Sequence, residues 1–189
     1  MGGGRQEIVR GRSPKLAKAE LRILDGYDAW GAGVRVGRLV RVDGEELAVF
    51  VRQVPSEDPV AALAEARRVV AAMATIEHPG VLRAEQAVQV GGRLAWIYRH
   101  VEGVSARVLL DRAVASARAV PARVAVEIVA QVAAAVDSAT AEGRVVHPGC
   151  VPEDVLVDSS GRVSVAGFSM AGSPTSWSSS SATCWCASG

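Results

Sequence analysis

Three groups of residues in this sequence could take part in chemistry. Asp154 and Asp158 flank the apolar run Val155-Leu156-Val157, and their carboxylates could attract a cation. Arg52 closes the run Leu47-Ala48-Val49-Phe50-Val51-Arg52, where a guanidinium could reach a phosphate. Cys150, Cys184 and Cys186 supply thiols, an odd set without the spacing of a metal site. Each has a plainer reading. An Asp beside a hairpin is a turn or cap residue, an Arg at a strand end is solvated, and Cys184-Trp185-Cys186 alone specifies neither a metal nor a disulfide.

The elements that must position these groups follow from periodicity. Residues 147–154 form a loop, and 155–157 and 162–165 are strands joined by an Asp158-Ser159-Ser160-Gly161 turn. Upstream, 21–24 reads as a first strand. Val34, Val36, Val40 and Val42 alternate on one face of a second, Asp43-Gly44 turns the chain, and 47–52 is a third. Arg52 lies two residues beyond Phe50, so both face one side. A loop at 55–59 leads to a helix carrying Leu63, Ala66, Val70 and Met73 at helical spacing. A hairpin with a Gly91-Gly92 turn joins strands ending at Val90 and Tyr98. Ser105 can cap a helix to about Ala115. Pro121 opens a longer helix, in which Ala125, Ile128, Val129, Val132 and Val136 form a buried stripe that ends at Gly143.

Composition bounds the function. The 189 residues fit about one domain, and 49% are apolar, enough for a core. A formal net charge of +1 gives no footprint for nucleic acid or a membrane surface. The longest apolar helical stretch carries Glu127, Gln131 and Asp137, so no segment reads as a membrane span, and no apolar leader opens the chain. The expected location is cytoplasmic.

The stretch His147-Pro148-Gly149-Cys150-Val151-Pro152-Glu153-Asp154, its hairpin, and Gly167-Phe168-Ser169 resemble the catalytic half of a bacterial-type serine/threonine protein kinase, written H-R-D-x-K-P-E-N and D-F-G. His78-Pro79-Gly80-Val81-Leu82 resembles the family's H-P-N-I-V segment. Arg99-His100-Val101-Glu102-Gly103 resembles the hinge. The resemblance covers roughly residues 21–171. It implies an α+β fold: a flexible basic tail over 1–20, a small lobe over 21–98 with a five-stranded antiparallel sheet and one helix, and a hinge at 99–103. A partial helical large lobe over 104–172 and a disordered Ser-rich tail over 173–189 would follow. The family's later large-lobe helices have no counterpart after the D-F-G-like position, which implies truncation there.

The resemblance also assigns positions. Phe50 stands where the phosphate-binding Lys belongs and Val69 where its partner Glu belongs, with Glu65 one turn earlier as a solvated residue. Gly149 replaces the catalytic Asp, Val151 the Lys, Asp154 the Asn and Gly167 the metal-binding Asp. Gly31 and Gly33 would approach a nucleotide's phosphates. Ala48, Tyr98 (the gatekeeper), His100, Val101 and Leu156 would surround its base. The function implied is a pseudokinase: a binding or regulatory module with a protein partner, no metal beyond the candidate Asp154, no cofactor, and at most residual ATP binding. The alternatives are a divergent ATP-dependent kinase using Asp154 for metal and Arg52 for phosphate, or a fragment with no function of its own. Without large-lobe partners, the helix at 121–142 would stay partly uncovered and could self-associate.

Overall fold

The computed structural model describes residues 7–9, 19–23, 34–41, 46–54, 56, 58–143 and 145–170. Gly31, Gly33, the Asp43-Gly44 turn and the 173–189 tail lie outside the described residues, as does most of the tail expected over 1–20. The fold is α+β. Its larger sheet holds β1 (Glu7–Val9), β2 (Ala19–Ile23), β3 (Val34–Arg41), β4 (Glu46–Val54), β5 (Ala84–Val90) and β6 (Arg93–Arg99). They run in the order β1-β2-β3-β4-β6-β5, every pair antiparallel. The five strands β2 to β6 form the expected five-stranded sheet. The sixth corrects the tail expected over 1–20: Glu7-Ile8-Val9 extends the edge, its residues registered against Leu21 to Ile23. A three-residue pairing at an edge needs only extended backbone, too short a signal for periodicity to reveal.

Helix α1 (Pro59–Met73) crosses from β4 to β5. Asp58 starts it by accepting from the N–H groups of Val60 and Ala61, both at 3.0 Å, and Pro59 supplies a preset φ at the first turn. Ala66, Val69 and Met73 bury one face of it against the sheet. Alternation on β4 then splits the core. Phe50 points toward α1, with Trp96 and Tyr98 of β6 on the same side, while Val49 and Val51 face the other side with Leu21, Leu39 and Ile97.

The second half is smaller. It contains β7 (Val104–Ser105), α2 (Ala106–Ala115), α3 (Ala122–Gly143), β8 (Val145–Val146), a 3-10 turn at Pro152–Asp154, β9 (Val155–Val157), β10 (Val163–Val165) and β11 (Ser169–Met170). Ser105 caps α2, its Oγ accepting from Val108 N–H at 3.3 Å. β9 pairs with β10 and β7, and β8 pairs with β11. Two backbone bonds join the halves: Leu82 N–H to Val165 C=O and Val165 N–H to Gly80 C=O, each 2.8 Å. They form a parallel bridge between Val81 and Val165.

Two expectations for α3 are corrected. Of the predicted stripe, Ile128, Val132 and Val136 pack on the core, but Ala125 and Val129 are exposed, and Ala135 and Ala139 are the buried residues. Residues 122–127 at the start of the helix are exposed, whereas the later turns pack where α3 meets β10, β8 and α1. By length and composition alone, α3 is apolar enough to cross a membrane, contrary to the sequence expectation. Its polar residues nevertheless make protein contacts. Gln131 donates to Gly161 C=O at 3.1 Å and accepts from Val163 N–H at 3.0 Å. Glu142 accepts from Glu77 N–H at 3.2 Å.

Two glycines separate close approach from open space. A Cβ at Gly103 would stand 2.7 Å from the Val157 carbonyl oxygen, whereas one at Gly149 would meet nothing within 4 Å. Gly103→Ala is expected to cost about 1–3 kcal/mol, the range for overpacking. Gly149→Ala is expected to change stability by less than about 0.5 kcal/mol, as at an ordinary surface site. Urea unfolding of the two variants checks the contrast, and equal midpoints would refute it.

Candidate functional site

Alternation on β4 carries Ala48, Phe50, Arg52 and Val54 on one face. Ala48 is exposed, and its carbonyl accepts from His100 N–H at 3.0 Å. Phe50 is buried, and its ring lies against His100 with centroids 4.6 Å apart. Arg52 corrects the expectation of a solvated strand end. Its Nη1 reaches across to Oδ1 of Asp154, forming an ion pair between side chains that are 25% and 6% exposed.

Asp154 reaches that position because the Pro152–Asp154 turn lifts it off the loop. Its N–H donates to Val151 C=O and its C=O accepts from Ala166 N–H, both at 2.9 Å. The carboxylate is then pinned between Arg52 and the loop following β10. Gly167 has φ +88, and a Cβ there would stand 3.1 Å from Asp154 Cγ and 3.3 Å from His147 Nε2. Asp154 thus fills the volume that a side chain at 167 would need. Its Oδ1 is committed to Arg52, and among the described residues no group of three His, Cys, Asp or Glu side chains gathers around it.

His147 holds the same loop from the other side. Its Nε2–H donates to Ala166 C=O at 2.7 Å, and its Nδ1 lies 3.4 Å from Gly149 N–H. Its ring meets Phe168 edge-on at 5.2 Å. Tyr98, opposite Phe50 on β6, is fully buried and hydrogen-bonds the Gly167 backbone. Burial raises the Tyr98 pKa well above the ordinary phenol range, and Asp154 adds to this against the pull of Arg52. For Arg52, burial is the largest influence and would lower the pKa, but Asp154 together with Tyr98 and Glu153 makes the net shift upward. The Cys150 thiol is exposed yet raised, by partial desolvation first and then by Asp154, so it is a poor nucleophile.

The remaining sequence candidates fall in several places. Val69 is buried in the core. Glu65 is paired with Arg68 at 2.5 Å and only 21% exposed, not a freely solvated residue. Leu156 is buried and Val101 half-buried on the same core. Gly149 and Val151 are exposed, apart from the ion pair. Asp158 is a turn residue, accepting from the N–H groups of Ser160 at 2.8 Å and Arg162 at 3.0 Å. The structure therefore brings Phe50, Tyr98, His100, Asp154 and Gly167 together with Arg52 and His147. No protein-family model matches the chain, and no curated protein matches it.

Removing one partner of a buried pair strands the other charge. Arg52→Ala is expected to cost about 3 kcal/mol, and the double change Arg52→Met with Asp154→Leu is expected to recover most of it. A double-mutant cycle in urea checks this, and additive single losses would refute the coupling.

Tyr98 gives a pH signature. Its folded-state pKa is raised, so its contribution is fully present below the ordinary tyrosine value of about 10 and declines as pH rises beyond it. Thermal stability of the protein is expected to fall above about pH 10, and Tyr98→Phe is expected to flatten that fall. The same alkaline slope in the variant would remove Tyr98 as its source.

Proposed function

We propose that the chain is a protein kinase-like module that does not transfer phosphoryl groups and acts by binding, as a regulatory partner of another protein. The observation that carries this reading is the Arg52–Asp154 ion pair laid over Gly167. Phosphoryl transfer needs a cation on the phosphates, a base for the acceptor hydroxyl and side chains that hold magnesium. The first position holds Phe50, sealed in the core. The second holds Gly149. The third holds Gly167, whose side-chain volume Asp154 occupies.

The surrounding order supports the kinase-like part of the reading. Helix α1 lies between the third and fourth of the five strands β2 to β6, the edge-on His147–Phe168 contact follows, and His78 to Leu82 is stitched to the β9–β10 hairpin. A divergent kinase using Arg52 and Asp154 would have to separate them first, because each currently neutralises the other. A nucleotide could still be bordered by Ala48 and Val101, but its phosphates would meet Phe50 in place of a cation, and buried anionic oxygens without counter-charge are costly.

Two measurements test the reading. Incubation with labelled ATP, magnesium or manganese, and a generic acceptor protein is expected to give no transfer. Magnesium-ATP is expected to leave the melting temperature unchanged. Transfer abolished by Asp154→Ala, or a magnesium-dependent thermal shift, would overturn it.

A further inference from the structure

The docked side of α3 is formed by buried Ala135 and Ala139 with half-buried Ile128, Val132 and Val136. At 100° per residue, the opposite side carries Arg123, Val126, Glu127, Ala130, Ala133, Ala134, Asp137 and Ala141, all exposed; in the pairing below, Glu127 falls opposite Ala133. Val126 is 68% exposed, and Val129 and Val124 on the flanks are 66% and 45% exposed. An uncovered apolar helix face of this kind marks an interaction surface.

Its charges select the occupant. Among the described residues, neither Arg123 nor Asp137 makes an ion pair. Each lies seven residues from Ala130, on opposite sides, or about 10 Å along the axis. We propose that α3 pairs with α3 of a second copy of this chain, antiparallel and centred on Ala130. A two-fold axis through Ala130 sets each residue opposite the one equally far on the other side. Arg123 of one copy then meets Asp137 of the other, twice, and Val126 meets Ala134. A parallel pairing would place Arg123 against Arg123 and Asp137 against Asp137, which like-charge repulsion disfavours. The alanines at the centre let the helix axes approach toward the short end of the usual 8–10 Å spacing. The interface is isologous and closes on itself, so it yields a dimer and no open polymer.

Sedimentation equilibrium of the full chain over a range of concentrations tests this. A reversible dimer is expected. Ala130→Arg is expected to weaken it by about tenfold or more, since it sets two guanidinium groups together on the axis. Val126→Glu serves as a second exposed-face variant, with circular dichroism reporting that both remain folded. Arg123→Asp alone and Asp137→Arg alone are each expected to weaken the dimer, and the two together in one chain to restore it. That rescue is peculiar to the antiparallel register. With Cys150, Cys184 and Cys186 replaced by Ser, Ala130→Cys is expected to cross-link to itself through a short bifunctional thiol reagent, and Val124→Cys to fail. A monomer at every concentration would overturn the proposal, as would a dimer indifferent to Ala130→Arg. So would co-flotation of the chain with phosphatidylcholine vesicles, abolished by Ala130→Arg, in place of dimer formation.

Discussion

A guanidinium and a carboxylate that have both been taken out of water must satisfy each other, and in this chain the two come from opposite ends of the fold. Arg52 ends the buried part of β4, and Asp154 sits on the turn before β9. Their separation of 102 residues makes the pair a constraint on the fold, not a local ornament. If the β9–β10 hairpin were to shift against the large sheet, Asp154 would lose its counter-charge while remaining buried. Burial of ionic pairs is seldom a large net gain in stability, but separating one is costly. The pair therefore resists displacement more than it raises the stability of the native state.

The groups around the pair are arranged by the same requirement. Gly167 adopts φ +88 and leaves the carboxylate its space. Its backbone bonds the Tyr98 hydroxyl, so the buried phenol has a partner. His147 ties down the preceding carbonyl at Ala166 and leans on Phe168. The two short backbone bonds at Gly80 to Leu82 anchor β10 from the far side. Four independent attachments thus fix one loop, and each is satisfied by a group within the chain.

Much of this was legible as sequence. A loop over 55–59 followed by apolar residues three and four apart reads as a helix from Val60, and α1 begins one residue earlier, at Pro59. The Gly91-Gly92 turn between apolar runs is the β5–β6 hairpin, both glycines with positive φ. Ser105 gave the start of α2. Local spacing encodes such features because the interacting atoms are within four residues of each other. Arg52 was not legible in the same way. Alternation places it on the Phe50 face, but what lies across that face is decided by tertiary packing of a segment a hundred residues later. The α3 stripe failed for a related reason. Val129 and Ile128 are equally apolar neighbours, and only the positions of β8 and β10 decide which of them is covered. The three-residue strand at Glu7 carries too few residues to show a period at all.

The face of β4 also explains why its cation has an internal partner. Ala48, whose carbonyl accepts from His100 N–H, is exposed, whereas Phe50 is sealed beneath His100. A residue two places further on is displaced by roughly 6–7 Å along the strand. That step carries the guanidinium past the aromatic plug and away from the exposed end, to where Asp154 rises from its turn. At position 50 the side chain is buried in the core against α1. At position 52 the guanidinium is partly exposed but already paired, and an anionic ligand would have to displace a carboxylate already in contact and already desolvated. Such a ligand would have to compensate both the lost contact and the newly stranded Asp154. The apolar residue at 50 and the acid at 154 are therefore two halves of one arrangement. Phe50 fills the core, and Asp154 neutralises the partly buried guanidinium beyond it.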